Sequence, residues 1–414
     1  MSSPHFAASG VTPEMDRHNG WIFTLCYTLV YLSAPVVYVD VVQAALCDKL
    51  GASATVANLP ASAYLVGQIA PLIVSWLVSV RWERTVVVAS YAMTSAWISL
   101  VLLTLLIPFP SSVRLGAVIG QGLLQGLSSS TALVFVYQCL NRGTTEKGRA
   151  LALKRTFTFG PIAAVVGSLG AQYVLNSGIA GLRYPYDFAV IYLVGAPSMA
   201  AAAFLASRYR LPTLSEQGGQ AVSPVRGFRD YLGSRPLLLL WCAYLFWYCA
   251  LAATSNLTLY AREALGRDPK DFAGLMMAIR FGCKSVGGYL LGMVAIRWGL
   301  RASAHLTLAL VGAASLWAWL VPGHAYLFAF GLMGAGELGG VYIPNYALAL
   351  SPVDSGARNL ALLTLATPAS SFAPAVYGGL TDHFGFPASF AFGLVAALIG
   401  FAAVRRIRKP KPGT

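Results

Sequence analysis

The 414 residues are 57% hydrophobic and only 11% charged, with a mean hydropathy of +0.65. A water-soluble domain carries about 25% charged residues, so this composition excludes an ordinary soluble enzyme or binding module and points to lipid as the main solvent. The net charge of +14 does not indicate nucleic acid. The cations fall in short loops and the aromatics in apolar stretches, with no basic groove for stacking bases.

Along the chain, about twenty polar residues come first, with Arg17 their only cation. Twelve apolar segments follow, placed at 21–47, 58–80, 85–107, 115–140, 150–175, 186–207, 237–261, 272–296, 302–321, 325–350, 358–381 and 386–405. Most exceed the ~18 residues that read as a membrane span. The first is too long for a signal-peptide core and no cleavage site follows it, so it is read as an uncleaved helix. The longest polar stretch, SRYRLPTLSEQGGQAVSPVRGFRDYLGSR from Ser207 to Arg235, separates the sixth segment from the seventh. The expected fold class is an all-α polytopic membrane protein of twelve transmembrane helices. Its expected organisation is an N-terminal six-helix bundle over 1–207, a cytoplasmic linker over 208–235, and a C-terminal six-helix bundle with a short basic tail over 236–414.

Orientation follows from the loop cations. With the N-terminus placed inside, 21 Lys and Arg fall on the inner side and 6 on the outer, and Arg280 and Lys284, deep in segment eight, complete the 29. Both termini are therefore expected on the cytoplasmic side of a plasma (inner) membrane.

Charge inside a membrane segment is expensive, ~2.5–3.5 kcal/mol per residue on insertion scales, and marks function. In chain order the first such residue is Asp40, in LSAPVVYVDVVQAAL toward the outer end of segment one. It can bind a proton or cation, pair with Arg280 as an outer gate, or merely solvate the outer vestibule. The fourth segment offers the neutral Gln125 with Gln121 and Ser128 to Ser130, and the seventh offers Tyr244, Trp247, Tyr248 and Asn256.

The eighth segment, AGLMMAIRFGCKSVGGYLLGMVAIRWG, holds Arg280 and Lys284 four residues apart. That spacing puts both cations on one helix face. Two cations on one face need a negative partner, either a protein carboxylate or a substrate anion. The planar fork of Arg suits a carboxylate or phosphate, and Lys supplies a point charge. The tenth segment supplies Glu337 in FGLMGAGELGGVYIPNYALAL, among Gly334, Gly336, Gly339 and Gly340, with Asn345 beyond. Such a glycine run allows local unwinding where it lines a cavity. A buried Glu beside a cation can release that cation to an arriving anion and take up a proton, or it can act as a static brace.

Other chemistry lacks a pattern. The six cysteines fit neither a disulfide framework nor a zinc site. The five histidines have no ligand spacing, so no metal is expected. No Walker loop is present, no other cofactor is implied, and no nucleophile–base arrangement suggests an enzyme.

Twelve segments in two halves resemble the major facilitator superfamily over nearly the whole chain. The family's loop signature between helices two and three has a worn counterpart in SWLVSVRWER, where Ser79 stands near the usual acid and Trp82 near the usual glycine. The copy GMVAIRWGLR keeps Gly292, Arg297, Gly299 and Arg301, with Ile296 at the acid position, and GGLTDHFG (Gly378 to Gly385) is a third echo. The loop NRGTTEKGRALALKR is similar to the family as well. The arginine of segment eight resembles that of the monocarboxylate and oxalate porter branch, where it binds the substrate carboxylate.

The resemblance implies a secondary active transporter working by alternating access, with substrate bound near the bilayer midplane between the halves. Its expected cargo is a small or medium organic anion, moved with protons. Arg280, Lys284, Tyr244, Tyr248, Gln125 and Asn345 are the candidate substrate ligands. Glu337 and Asp40 are the candidate proton-coupling or gating groups. The expected partners are the substrate, protons and membrane lipid, for a protein acting as a monomer. The alternative is a proton-driven exporter of amphipathic or cationic compounds.

Overall fold

A backbone surrounded by hydrocarbon has no water to pair with, so apolar stretches of this length close their hydrogen bonds within helices. Helices are the only regular elements among the described residues. The computed structural model describes residues 11–78, 80–176, 178–212, 231, 233–351 and 356–407. Ser79, most of the 208–235 linker and the last basic residues lie outside the described residues.

The first half of the chain forms α1 (Pro13–Leu32), α2 (Ala34–Val37), α3 (Val41–Lys49), α4 (Ala54–Gly67), α5 (Ala70–Leu77), α6 (Glu83–Leu106), α7 (Ser111–Gly143), α8 (Glu146–Leu175) and α9 (Tyr186–Ala206). The second forms α10 (Arg235–Leu251), α11 (Ala253–Leu259), α12 (Ala261–Leu265), α13 (Lys270–Trp298), α14 (Leu300–Leu320), α15 (Phe328–Gly336) and α16 (Gly339–Leu350). It continues with α17 (Gly356–Thr364), α18 (Ala366–Ala369), α19 (Ala373–Phe384) and α20 (Phe386–Arg406).

Among the described residues, eleven runs, counted through their short interruptions, are long and apolar enough to cross a membrane. They match the second to twelfth predicted segments to within a few residues at most ends. The first predicted segment differs. Its helix starts earlier, at Pro13, where the Thr12 hydroxyl accepts from the Met15 amide at 3.2 Å. Proline at the first turn has no amide to strand, and Glu14 and Asp16 sit at the positive end of the helix dipole. The helix then breaks at Ser33, ahead of Pro35, and again between Tyr38 and Asp40. Segment one is thus three helices rather than one.

Contacts divide the chain into two compact units. The first comprises Met1–Tyr38 and Gly67–Gly218, and the second comprises Val39–Val66 and Gly219–Thr414. The chain therefore passes from one unit to the other three times, and α3 with nearly all of α4 belongs to the second unit.

In the first unit α1 packs on α8 and α9, and α6 packs on α7 and α9. In the second unit α13 packs on α15, α14 on α15 and α20, and α10 on α20. There α3 lies against α11 and α13. Outward faces are apolar and exposed, such as Ile162, Val166, Leu169 and Tyr173 on α8, as faces that meet lipid should be.

Candidate functional site

The second unit gathers four charges at two helix interruptions. The first interruption is the break before α3. The backbone there leaves helical geometry, and the Asp40 Oδ1 accepts from the Val41 amide at 2.6 Å, capping α3. A capping aspartate has a second oxygen free for other work. Asp40 Oδ2 pairs with Arg280 Nη1 of α13.

The second interruption lies between α15 and α16, at Glu337 and Leu338. The Gly340 amide bonds to the Glu337 carbonyl at 3.0 Å, one residue tighter than the α-helical pattern. Glu337 thereby ends α15 with its side chain on the α13 face. Its Oε1 pairs with Arg280 Nε, and its Oε2 accepts from Lys284 Nζ at 2.7 Å.

Small residues bring the two helices close enough for this. A Cβ on Gly334 would collide with the Arg280 carbonyl, so only glycine allows that approach. One on Gly331 would sit 2.7 Å from the Cys283 sulfur, and one on Gly287 would sit 2.9 Å from Ala335 Cβ.

Two carboxylates and two cations leave the cluster neutral when all are ionised. Its members differ in access. The side chains of Arg280 and Glu337 are 5% and 6% exposed, Asp40 is 15% exposed and Lys284 is 23% exposed. Of the four side chains, Lys284 is therefore the most open to solvent. Arg280 meets two carboxylates from different elements, and Glu337 is shared by both cations.

The neutral candidates fall elsewhere. Tyr244 and Tyr248 of α10 pair with one another, oxygen to oxygen, at 3.4 Å. They flank Trp247, whose indole Nε1 donates to the Gly336 carbonyl at 3.0 Å. They are thus neighbours of the α15–α16 break through Trp247. Asn345 is exposed and donates to the Val341 carbonyl of its own helix at 2.8 Å.

Gln125 belongs to the first unit. It is fully buried, neither amide atom has a hydrogen-bond partner among the described residues, and it lines a cavity of about 60 Å³ with Tyr27, Tyr91, Thr94 and Ser129. Gln121 bonds the Val36 carbonyl at 2.9 Å, which ties α7 to the broken helix. Asn256 donates to Thr381 and Ser389, both at 2.8 Å.

Two contributors were not singled out from sequence for these roles. Trp247 was noted only as one aromatic of a cluster, and its role emerges from the glycines opposite it. Asp382, in the third loop echo, accepts from the Ala54 and Thr55 amides, both at 2.9 Å, and from the Thr55 hydroxyl at 2.5 Å. It caps α4 from across the second unit, a service that its sequence position, more than 300 residues away, gives no sign of.

No protein-family model matches the chain, and no curated protein matches it in sequence. Solved structures do match along nearly all of its length. The nucleoside transporter NupG aligns with a TM-score of 0.69 at 10% identity, covering 95% of this chain and 98% of that one. A D-xylose-proton symporter aligns with a TM-score of 0.67 at 14% identity, covering 92% and 96%. A POT family transporter in complex with 5-aminolevulinic acid aligns with a TM-score of 0.68 at 13% identity, covering 95% of each. The chain therefore has the fold of the major facilitator superfamily.

Proposed function

We propose that this chain is a secondary transporter that carries a small or medium organic anion, coupled to protons, by alternating access. The observation that supports this most directly is Glu337 shared between Arg280 and Lys284 within membrane-spanning helices. Buried intramembrane charge of this kind marks transport pathways and proton relays. Structural neighbours named as a proton symporter and as a transporter holding an amino acid derivative support the class.

The scheme follows from charge balance. An arriving carboxylate takes the Lys284 ammonium, the most accessible cation, and then part of the Arg280 fork. Glu337 loses its partners and, as an uncompensated buried carboxylate, takes up a proton. One negative charge and one proton enter together, so the cluster is neutral before and after. Asp40 stays on Arg280 and gates the outer end of the site. Tyr244 and Tyr248 offer aromatic edges to the organic part of the substrate. The protein works as a monomer in the plasma (inner) membrane, with both termini cytoplasmic, as the 21-to-6 distribution of loop cations supports.

The test is thermal stabilisation of the detergent-purified protein by benzoate, succinate and citrate at pH 5 and pH 7.5. Ligand at a hundred times its Kd stabilises the folded state by about 2.7 kcal/mol. At least one of these anions should raise the melting temperature of the wild type, more at the lower pH, and leave Lys284→Ala unmoved. If none does and tetraphenylphosphonium raises it instead, the anion reading fails and the exporter of lipophilic cations replaces it.

A further inference from the structure

The break that presents Glu337 creates a backbone problem, and one side chain solves it. The Gly340 amide turns to the Glu337 carbonyl, so the α-helical ladder is interrupted beside the Gly336 carbonyl. An orphaned carbonyl inside a protein within hydrocarbon is costly. The Trp247 indole meets the Gly336 carbonyl there, donating to it at 3.0 Å from a ring only 2% exposed. The glycines on the far side of Glu337 complete the fit. A Cβ on Gly339 would collide with the indole nitrogen, and one on Gly340 would lie 3.4 Å from the ring. The indole is itself held by Tyr244, stacked at 5.5 Å with 4° between the planes.

We propose that Trp247 is the positioning residue for Glu337, holding the α15–α16 break open so that the carboxylate reaches Arg280 and Lys284. It acts through the Gly336 carbonyl and the glycines around it, without touching the carboxylate. The proposal rests on the reading of Glu337, Arg280 and Lys284 as the anion site. Among the described residues, the charged groups paired with that carboxylate are Arg280 and Lys284 on α13, with Asp40 beyond Arg280 on the α3 side.

A double-mutant cycle in the full-length protein tests this without knowledge of the substrate. Melting temperatures are measured in detergent for the wild type, Trp247→Phe, Glu337→Gln and the double variant. A residue that positions Glu337 loses much of its effect once the carboxylate is gone. The double variant should therefore melt clearly above the temperature that the two single losses add up to. Strict additivity overturns the proposal, because it makes Trp247 an ordinary packing residue.

Gly339→Ala approaches from the other side, since its new methyl must displace the indole. It should show the same coupling to Glu337→Gln, and it decides the question if Trp247→Phe does not fold. Benzoate separates the two readings. If coupling is present but no anion stabilises the wild type, the anion reading fails while the positioning role stands. If benzoate stabilises the wild type and the cycle is additive, the positioning role alone falls.

Discussion

Arg280 is the residue on which the charged cluster turns, because its fork spends Nη1 on Asp40 and Nε on Glu337. A lysine at that place offers one ammonium on a flexible stem and cannot serve two carboxylates held on different helices. Removing one member of a buried ion pair costs about 3–5 kcal/mol, because the survivor stays buried and uncompensated. Glu337→Gln should therefore lower stability by about that much, and Arg280→Lys should also lower it, both read as thermal denaturation in detergent. Lys284→Ala should cost clearly less, since its ammonium is the one that solvent reaches. Equal losses for Lys284→Ala and Glu337→Gln would make the lysine a structural brace and remove the physical basis for its exchange with a substrate.

Between α13 and α15, glycine placement decides which substitutions the elements tolerate. Gly334 leaves no room for a Cβ against the Arg280 carbonyl, whereas a Cβ on Gly288 of α13 has nothing within 4 Å. Alanine in an open helical position gains roughly 0.5–1 kcal/mol over glycine. Gly288→Ala should thus hold or raise the melting temperature, while Gly334→Ala should lower it and weaken anion stabilisation by pushing Glu337 away from α13.

The sequence carries the pattern of spans because lipid demands long apolar helices. It also exposes Asp40, Arg280, Lys284 and Glu337, because charge is rare there. The sequence leaves their pairing open, with Asp40 on Arg280 one option among several, since the two are 240 residues apart and nothing local encodes the contact. The break at Ser33 has a signal in Pro35, which hydropathy alone passes over, whereas the break at Asp40 has no such marker beyond the aspartate itself. The glycines around Glu337 did signal that a helix could unwind there, and α15 does end at that residue.

At the scale of the whole molecule, the uneven loop charge predicts a sidedness that chemistry can read. Ser111 at the start of α7 and Lys147 at the start of α8 are exposed and separated by the α7 span, the first beside the predicted outer loop and the second in the predicted inner one. In intact cells, a membrane-impermeant maleimide should label Ser111→Cys and leave Lys147→Cys unlabelled until the membrane is opened. Four of the native cysteines are buried and the other two are half-buried, so their background should be low. The reverse pattern would invert the topology and place the Asp40 end of the site on the cytoplasmic face.

The excursion of Val39–Val66 into the second unit also sets a timetable for biosynthesis. Asp40 leaves the ribosome 240 residues before the arginine that neutralises it. At 5–20 residues per second, that is a delay of roughly 10–50 seconds. For most of that interval α3 and α4 are made but lack the neighbours they will pack against in the finished second unit. The nascent chain must shelter a carboxylate and two short helices at the insertion machinery until α11, α13 and α19 arrive. A ribosome stalled after α9 would therefore hold an incomplete first half, one whose own early residues can be finished only by the second.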